Sequence, residues 1–98
     1  MTETPETRLR RLRMRSWRRG MKEMDLILGP FADEVLPALD DRAIAAYEAL
    51  LAENDQDLYL WVTRRVTQSD DTATGPAALA AILDRIAAHA TARQPGPM

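Results

Sequence analysis

Three residues near the start of the chain, Arg19, Gly20 and Glu23, have the types and spacing of a functional site. The stretch 18–25 (RRGMKEMD) that contains them has no Cys, His or Ser. It therefore lacks the side chains that most often act as nucleophile or general base. A cation, a glycine and a carboxylate in close succession suit binding better than bond making. We interpret the stretch as a recognition surface.

The same three residues also have a purely structural explanation. If Gly20 is the N-cap of a helix, Glu23 stands at the N3 position and reaches back to the Gly20 amide, which is half of a capping box. Arg19 is then a surface cation. Gly20 equally suits the C′ position of a preceding helix, where a positive φ costs glycine little. On spacing alone these alternatives stay open.

The composition excludes several kinds of site. The chain has 98 residues and no cysteine, so disulfides, thiolate metal sites and thiol catalysis are excluded. Its single histidine, His89, excludes a multi-histidine metal site within one chain and is expected to be exposed. No apolar run approaches the roughly 20 residues of a membrane span, and no signal peptide is visible. We expect a cytoplasmic protein that is not an enzyme and has no cofactor of its own.

Charge is distributed unevenly along the chain. Residues 1–22 hold eight basic residues and two glutamates, a net charge of +6, whereas residues 23–98 have a net charge of −8. Such asymmetry suggests an electrostatic docking arm for nucleic acid or for an acidic protein surface. The alternative is a solvated helix face. Trp17 is expected to be in the core or partly buried, but it lies among the arginines, and an exposed tryptophan beside arginine is typical of a protein-binding hot spot.

The hydrophobic pattern predicts an all-α fold, a small bundle of about five helices in a single domain, residues 1–98. We expect disorder at residues 1–7 and 94–98, a first helix over residues 8–17, and a loop over residues 67–75. Gly29-Pro30 predicts a kink or a break in the second helix. Asp40 is the predicted N-cap of the third helix and Asp55 that of the fourth. The residues expected to face inward are Leu9, Leu12, Met14, Met24, Ile27, Leu28, Phe31, Val35, Ile44, Tyr47, Leu50, Leu51, Leu58, Trp61, Val62, Leu79, Ile82, Leu83, Ile86 and Ala90.

Two segments resemble those of a known family. Residues 14–31 (MRSWRRGMKEMDLILGPF) resemble the R-G-x-x-E segment of the succinate dehydrogenase assembly factor 2 (SdhE) family. Residues 47–61 (YEALLAENDQDLYLW) are similar to its LL…D-x-D-L-x-x-W segment, with Gln56 where the family often has proline. The two segments occur in the expected order, and the resemblance covers roughly residues 8–65.

The resemblance implies a small helical factor that promotes covalent attachment of FAD to the flavoprotein subunit of succinate dehydrogenase, and in some bacteria of fumarate reductase. The bond forms to a histidine of the partner. Arg19, Gly20 and Glu23 carry over as the functional triplet, flanked at the contact by Trp17, Arg18 and Met21. Gly20 is expected to allow close approach of the partner, Arg19 to pair with a carboxylate or reach toward the flavin site, and Glu23 to accept a hydrogen bond.

The rival interpretation is a nucleic-acid-binding module that uses the arginine-rich first helix. It predicts binding to generic duplex that weakens steeply with salt. A weaker rival is an antitoxin-like or adaptor protein, which needs a partner other than a flavoprotein.

Overall fold

The structure, a computed structural model, describes residues 3–67 and 75–93. These residues form five α-helices and no β-strand, which confirms the predicted all-α class. Single turns of 3₁₀-helix, Leu36–Ala38 and Ala77–Leu79, precede the third and fifth helices. None of the helices found in the described ranges is long and apolar enough to cross a membrane. The helices are α1 (Pro5–Trp17), α2 (Lys22–Glu34), α3 (Asp41–Leu50), α4 (Asp55–Val66) and α5 (Ala80–Arg93).

The first helix begins three residues earlier than predicted. Thr4 is its N-cap, and the Thr4 side chain accepts a hydrogen bond from the Thr7 amide at 3.1 Å. Pro5 occupies the first helical position, where its missing N–H costs nothing. Residues 5–7 are therefore helical rather than frayed. Residues 1–2 and 94–98, which we also expected to be disordered, lie outside the described residues, as do residues 68–74 of the predicted loop.

The second helix continues through Pro30 without a break. Gly29 has no Cβ, so it avoids much of the steric clash that proline imposes on the preceding residue in a helix. Gly29, Pro30 and Phe31 are all buried, and this packing offsets the backbone hydrogen bond that proline cannot donate. Of the two outcomes that the sequence allowed, a break is wrong.

The N-caps of α3 and α4 include one confirmed prediction and one error. The Asp40 side chain caps α3 by accepting a hydrogen bond from an amide of the first turn at 2.9 Å. The cap of α4 is Asn54 instead of Asp55, because Asn54 Oδ1 accepts the Asp57 amide at 2.8 Å. Asp55 is the first residue of α4, and its carboxylate is left for another contact.

The core lies where the apolar faces of the five helices meet. Phe31 of α2 and Tyr47 of α3 are fully buried and stack with their ring centroids 5.5 Å apart. Most of the residues predicted to face inward are buried, but Met14 is 49% exposed. The predicted core residues that are only partly buried are Leu9, Ile27, Val35, Trp61 and Ala90.

One polar contact is buried inside this core. Ser16 is fully buried, its hydroxyl donates to the Leu12 carbonyl at 2.7 Å, and its Oγ lies 2.5 Å from the Tyr47 hydroxyl. Because the Ser16 proton is used toward Leu12, Tyr47 donates to Ser16. Burial raises the pKa of Tyr47 to about 12.

We expect Tyr47→Phe to lower the free energy of unfolding by about 1–2 kcal/mol at neutral pH, since Ser16 loses its donor. The folded pKa of Tyr47 is raised above its ordinary value of 10.0. The stability conferred by the neutral phenol is therefore present below that value and is lost as the pH rises toward about 12. Urea unfolding measured at about pH 8 and about pH 11 should show that the free energy of unfolding falls more between these pH values for wild type than for Tyr47→Phe. Equal losses would contradict this assignment.

Candidate functional site

The candidate residues lie in the connection between α1 and α2. Arg18 is the C-cap of α1, and Met21 is the N-cap of α2. Gly20 is therefore neither the C′ residue of α1 nor the N-cap of α2. Both predicted positions are wrong. Gly20 would be the C′ residue only if α1 ended at Arg18, and it would be the N-cap only if α2 began at Met21.

Gly20 adopts a backbone conformation that favours glycine. Its φ is +93°, a region that other L-amino acids rarely adopt. The residue is exposed, and a Cβ built on it meets no atom of the chain within 4 Å. The backbone thus requires glycine here, whereas the packing of the chain does not. A side chain at this position would project toward whatever binds the connection.

Arg19, directly before Gly20, turns inward. Its side chain is 10% exposed, and its Nε donates to Asp55 Oδ1 at 2.7 Å. Its terminal nitrogens donate to the carbonyls of Leu51 and Glu53, the latter at 2.7 Å. Arg19 is therefore not the surface cation of the structural alternative. Its guanidinium connects the α1–α2 connection to the turn between α3 and α4.

Glu23 lies in the first turn of α2 and makes no capping box. It is the second residue of the helix, and the N-cap has no side-chain hydrogen bond. The acid that bonds back to the connection is Asp25, whose Oδ1 accepts a hydrogen bond from the Arg19 amide at 2.7 Å. Glu23 is exposed and bonds to no other side chain in the described ranges, so its carboxylate remains available near the positive end of the helix dipole.

The remaining candidates divide into exposed and inward-facing residues. Arg18 is exposed and has no ion-pair partner among residues 3–67 and 75–93. Met21 is partly buried and packs against the core. Trp17 is 41% exposed, its ring lies against the backbone of Gly29, and its Nε1 donates to Asp33 at 3.2 Å. Trp17, Arg18, Gly20 and Glu23 thus remain accessible, whereas Arg19 and Met21 are directed into the fold.

Leu26 is an accessible apolar residue that the sequence analysis missed. It is 57% exposed and lines a groove between α2 and α5 together with Trp17 and Ile27. Met14, predicted to face the core, lines a neighbouring groove that shares Trp17 with the first. The available signal was that Leu26 lies outside the stripe that includes Met24, Ile27 and Leu28. Trp17 therefore lies between two accessible apolar side chains, Met14 in one groove and Leu26 in the other.

Most arginines of the basic arm are engaged within the chain. Arg8 and Arg11 both contact Glu48, at 3.0 and 2.8 Å, and Arg11 also pairs with Glu3 at 2.8 Å. Hydrogen bonds from Arg11 and then Arg8 hold the pKa of Glu48 below its usual range. Arg13 lies 3.4 Å from an oxygen of Asp33. The basic residues of the arm without a partner in the described ranges are Arg10, Arg18 and Lys22.

His89 is more buried than expected. Its side chain is 13% exposed, its Nε2 lies 2.9 Å from Glu34, and its ring packs nearly perpendicular to that of Phe31. The hydrogen bond with His89, with a further contribution from Arg93, holds the pKa of Glu34 below its usual range. No group of His, Asp and Glu residues within residues 3–67 and 75–93 is arranged to hold a metal ion.

Comparisons with known proteins give one consistent result. A family model described as "Flavinator of succinate dehydrogenase" matches residues 10–90, most of the chain. The "FAD assembly factor SdhE" of Pseudomonas aeruginosa is 45% identical over 65 residues, which cover 66% of this chain and 76% of that protein. The Pseudomonas putida protein of the same name is 44% identical over 66 residues, 67% of this chain and 76% of that protein. The "Succinate dehydrogenase assembly factor 2, mitochondrial" of Meyerozyma guilliermondii is 44% identical over 62 residues, 63% of this chain but only 46% of that protein. No solved structure matches significantly.

Proposed function

This chain belongs to the family of flavinators of succinate dehydrogenase, as its resemblance to that family predicted, and we propose that it binds the flavoprotein subunit and promotes covalent attachment of FAD to it. The observation that best supports the proposal is Gly20, which is exposed at a φ of +93° with no atom of the chain near its Cβ position. A glycine that the surrounding packing does not need is suited to close contact with another molecule.

We propose that the chain acts as a conformational helper rather than as an enzyme with its own reacting groups. The accessible candidates provide a guanidinium, a carboxylate, an indole and bare backbone, and none of these is activated as a nucleophile. A binding protein shifts a conformational equilibrium only by its difference in affinity for the two states. Tighter binding to the competent state would hold the partner's histidine and flavin in near-attack geometry.

Each accessible residue has a part in the proposed interface. Gly20 permits close approach of the partner backbone, and Glu23 accepts a hydrogen bond from it. Trp17 is the apolar anchor and Arg18 a flanking cation, a combination that is frequent in hot spots. For Arg19 and Met21, whose side chains face inward, we propose that they contribute mainly by shaping the connection that carries Gly20.

Further details of the proposal come from the family resemblance alone. We propose fumarate reductase as a second target, and the cofactor is expected to belong to the partner, with none bound by this chain. A cytoplasmic location stays a prediction; the name of the Meyerozyma relative places that protein in mitochondria. We propose that the chain does not insert into a membrane.

The internal ion pairs weigh against the nucleic-acid alternative. A duplex-binding arm needs cations free to replace counterions, and affinity then falls with salt in proportion to the number of phosphates contacted. Arg8, Arg11 and Arg19 already bind carboxylates of the same chain. A gel shift with generic duplex at moderate salt tests this alternative directly. Tight, steeply salt-dependent binding would favour it over the flavinator function.

The proposed function is tested by flavin fluorescence of the denatured flavoprotein subunit, produced in cells that lack or contain this chain. We expect covalent flavin only in its presence, and a large loss with Glu23→Ala because the carboxylate is exposed and uncommitted. Glu6→Ala is the matched control, since Glu6 is also an exposed acid in the first turn of a helix. Equal covalent flavin with and without the chain would refute the proposal.

A further inference from the structure

Arg19 joins two parts of the fold that are distant in sequence, the α1–α2 connection and the turn between α3 and α4. Its Nε donates to Asp55 Oδ1 at 2.7 Å, and its terminal nitrogens donate to the Leu51 and Glu53 carbonyls. Its own amide donates to Asp25 Oδ1 at 2.7 Å. We call this set of contacts the Arg19 clamp. Because a guanidinium is planar and its donors are fixed relative to one another, three acceptors on one turn define its position closely.

The clamp uses groups that α3 and α4 leave free at their ends. The Leu51 and Glu53 carbonyls follow the last residue of α3, where backbone acceptors have no partner within the helix. Asp55 is the first residue of α4, and since Asn54 caps that helix, its carboxylate can face Arg19. The Asp55 side chain is 21% exposed. These contacts are largely shielded from water, which strengthens their electrostatic part.

We propose that Asp55 is a positioning residue for the partner-binding connection, although it lies on a different helix. Through Arg19 it holds the backbone next to Gly20, so that Gly20 keeps its positive φ and its exposed position. The inference rests on the proposed function, because it assigns Asp55 a role in partner binding. Arg19 then acts chiefly by setting the shape of the connection, with no need for its charge to reach the partner.

The expected size of the effect follows from the fraction of molecules that are competent to bind. When only a fraction f of the protein has the competent conformation, the apparent Kd rises by the factor 1/f. If Asp55→Ala leaves the connection ordered in about one molecule in ten, the affinity for the flavoprotein subunit falls about tenfold. Asp57→Ala is the matched control, because Asp57 lies in the same first turn of α4 and its side chain bonds, among residues 3–67 and 75–93, only to Asn54. We expect its Kd to change less than about twofold.

The experiment measures binding of the full chain to the flavoprotein subunit at a temperature where circular dichroism shows every variant folded. Asp55→Asn keeps the shape of the side chain and serves if Asp55→Ala does not fold. Arg19→Gln and the double variant Arg19→Gln/Asp55→Ala complete a cycle. We expect the double variant to bind no more weakly than the weaker single variant, since both changes break the same clamp. If Asp55→Ala binds like wild type while Arg19→Gln does not, Arg19 acts on the partner directly and the inference is wrong.

A second measurement, on the free protein, separates failure of the inference from failure of the proposed function. The amide resonance of Gly20 and the hydrogen exchange of the Arg19 amide report the connection without any partner. We expect both to change in Asp55→Asn and neither in Asp57→Asn. Unchanged signals in Asp55→Asn would overturn the inference whatever the partner does. If the signals change but wild type does not bind the flavoprotein subunit, the clamp is real and the proposed function is wrong.

Discussion

Gly20→Arg is expected to abolish covalent flavinylation of the partner while leaving the helical fold in place. The Cβ position of Gly20 is surrounded by open space, so the arginine meets no atom of its own chain at that point. The backbone is less tolerant, because a φ of +93° costs a residue with a side chain about 1–2 kcal/mol. That cost is a fraction of the stability of an ordinary domain. The large loss should therefore appear in flavinylation and binding, with little change in circular dichroism.

Gly75 provides a control for the cost of placing a side chain at a positive φ. It is also exposed at a positive φ, +97°, but lies beyond α4, next to Trp61. Gly20→Ala and Gly75→Ala both incur the backbone cost, whereas only the first places a methyl group on the proposed interface. Unfolding by urea should show a loss of stability for both variants, larger for Gly75→Ala because its Cβ would lie 3.0 Å from the Trp61 ring, and only Gly20→Ala should weaken flavinylation. If Gly20→Arg instead unfolds the chain, Gly20 is a structural glycine and its place in the interface is lost.

Local patterns were sufficient to predict the helices but not the contacts between them. The stripe through Leu28 and Phe31 identified the buried face of α2, and Asp40 was recognised as a cap because capping depends only on the next few residues. Asn54 and Asp55 are both good cap residues, so the pattern could not choose between them. The choice depends on tertiary structure, since Asp55 faces Arg19, which lies 36 positions away in the chain.

The sequence selected the candidate residues but could not predict how their side chains are placed. The family resemblance selected Arg19, Gly20 and Glu23, and the structure leaves Gly20 and Glu23 accessible. The inward direction of Arg19 could not be predicted, because an arginine in a basic stretch looks like a surface residue until its acceptors are known. Leu26 was missed because the periodic pattern identifies the buried stripe of a helix, and Leu26 lies outside that stripe.

Gly29→Ala is expected to lower the stability of the fold and to displace the ring of Trp17. A Cβ on Gly29 would overlap the indole ring of Trp17, so either the ring or the helix must shift. Overpacking of this kind typically costs about 1–3 kcal/mol. The ring also has a polar contact to lose, because Trp17 Nε1 donates to Asp33. We expect lower stability together with weaker partner binding, since Trp17 is the proposed anchor.

The stability cost of Gly29→Ala has a second source in Pro30, because any Cβ on the residue that precedes a proline in a helix also meets the proline ring. A double-mutant cycle with Trp17→Ala separates the two costs. In that background the indole is gone, and Gly29→Ala incurs only the penalty from Pro30. The cost of Gly29→Ala should be about 1–3 kcal/mol lower in the Trp17→Ala background, and this difference measures the overlap between the new Cβ and the Trp17 ring. Trp17 emission, recorded with Trp61→Phe, should shift to the red in Gly29→Ala as the ring leaves the helix. Equal costs in both backgrounds with unshifted emission would mean that Gly29 is needed for Pro30 alone, and that the position of Trp17 is set elsewhere.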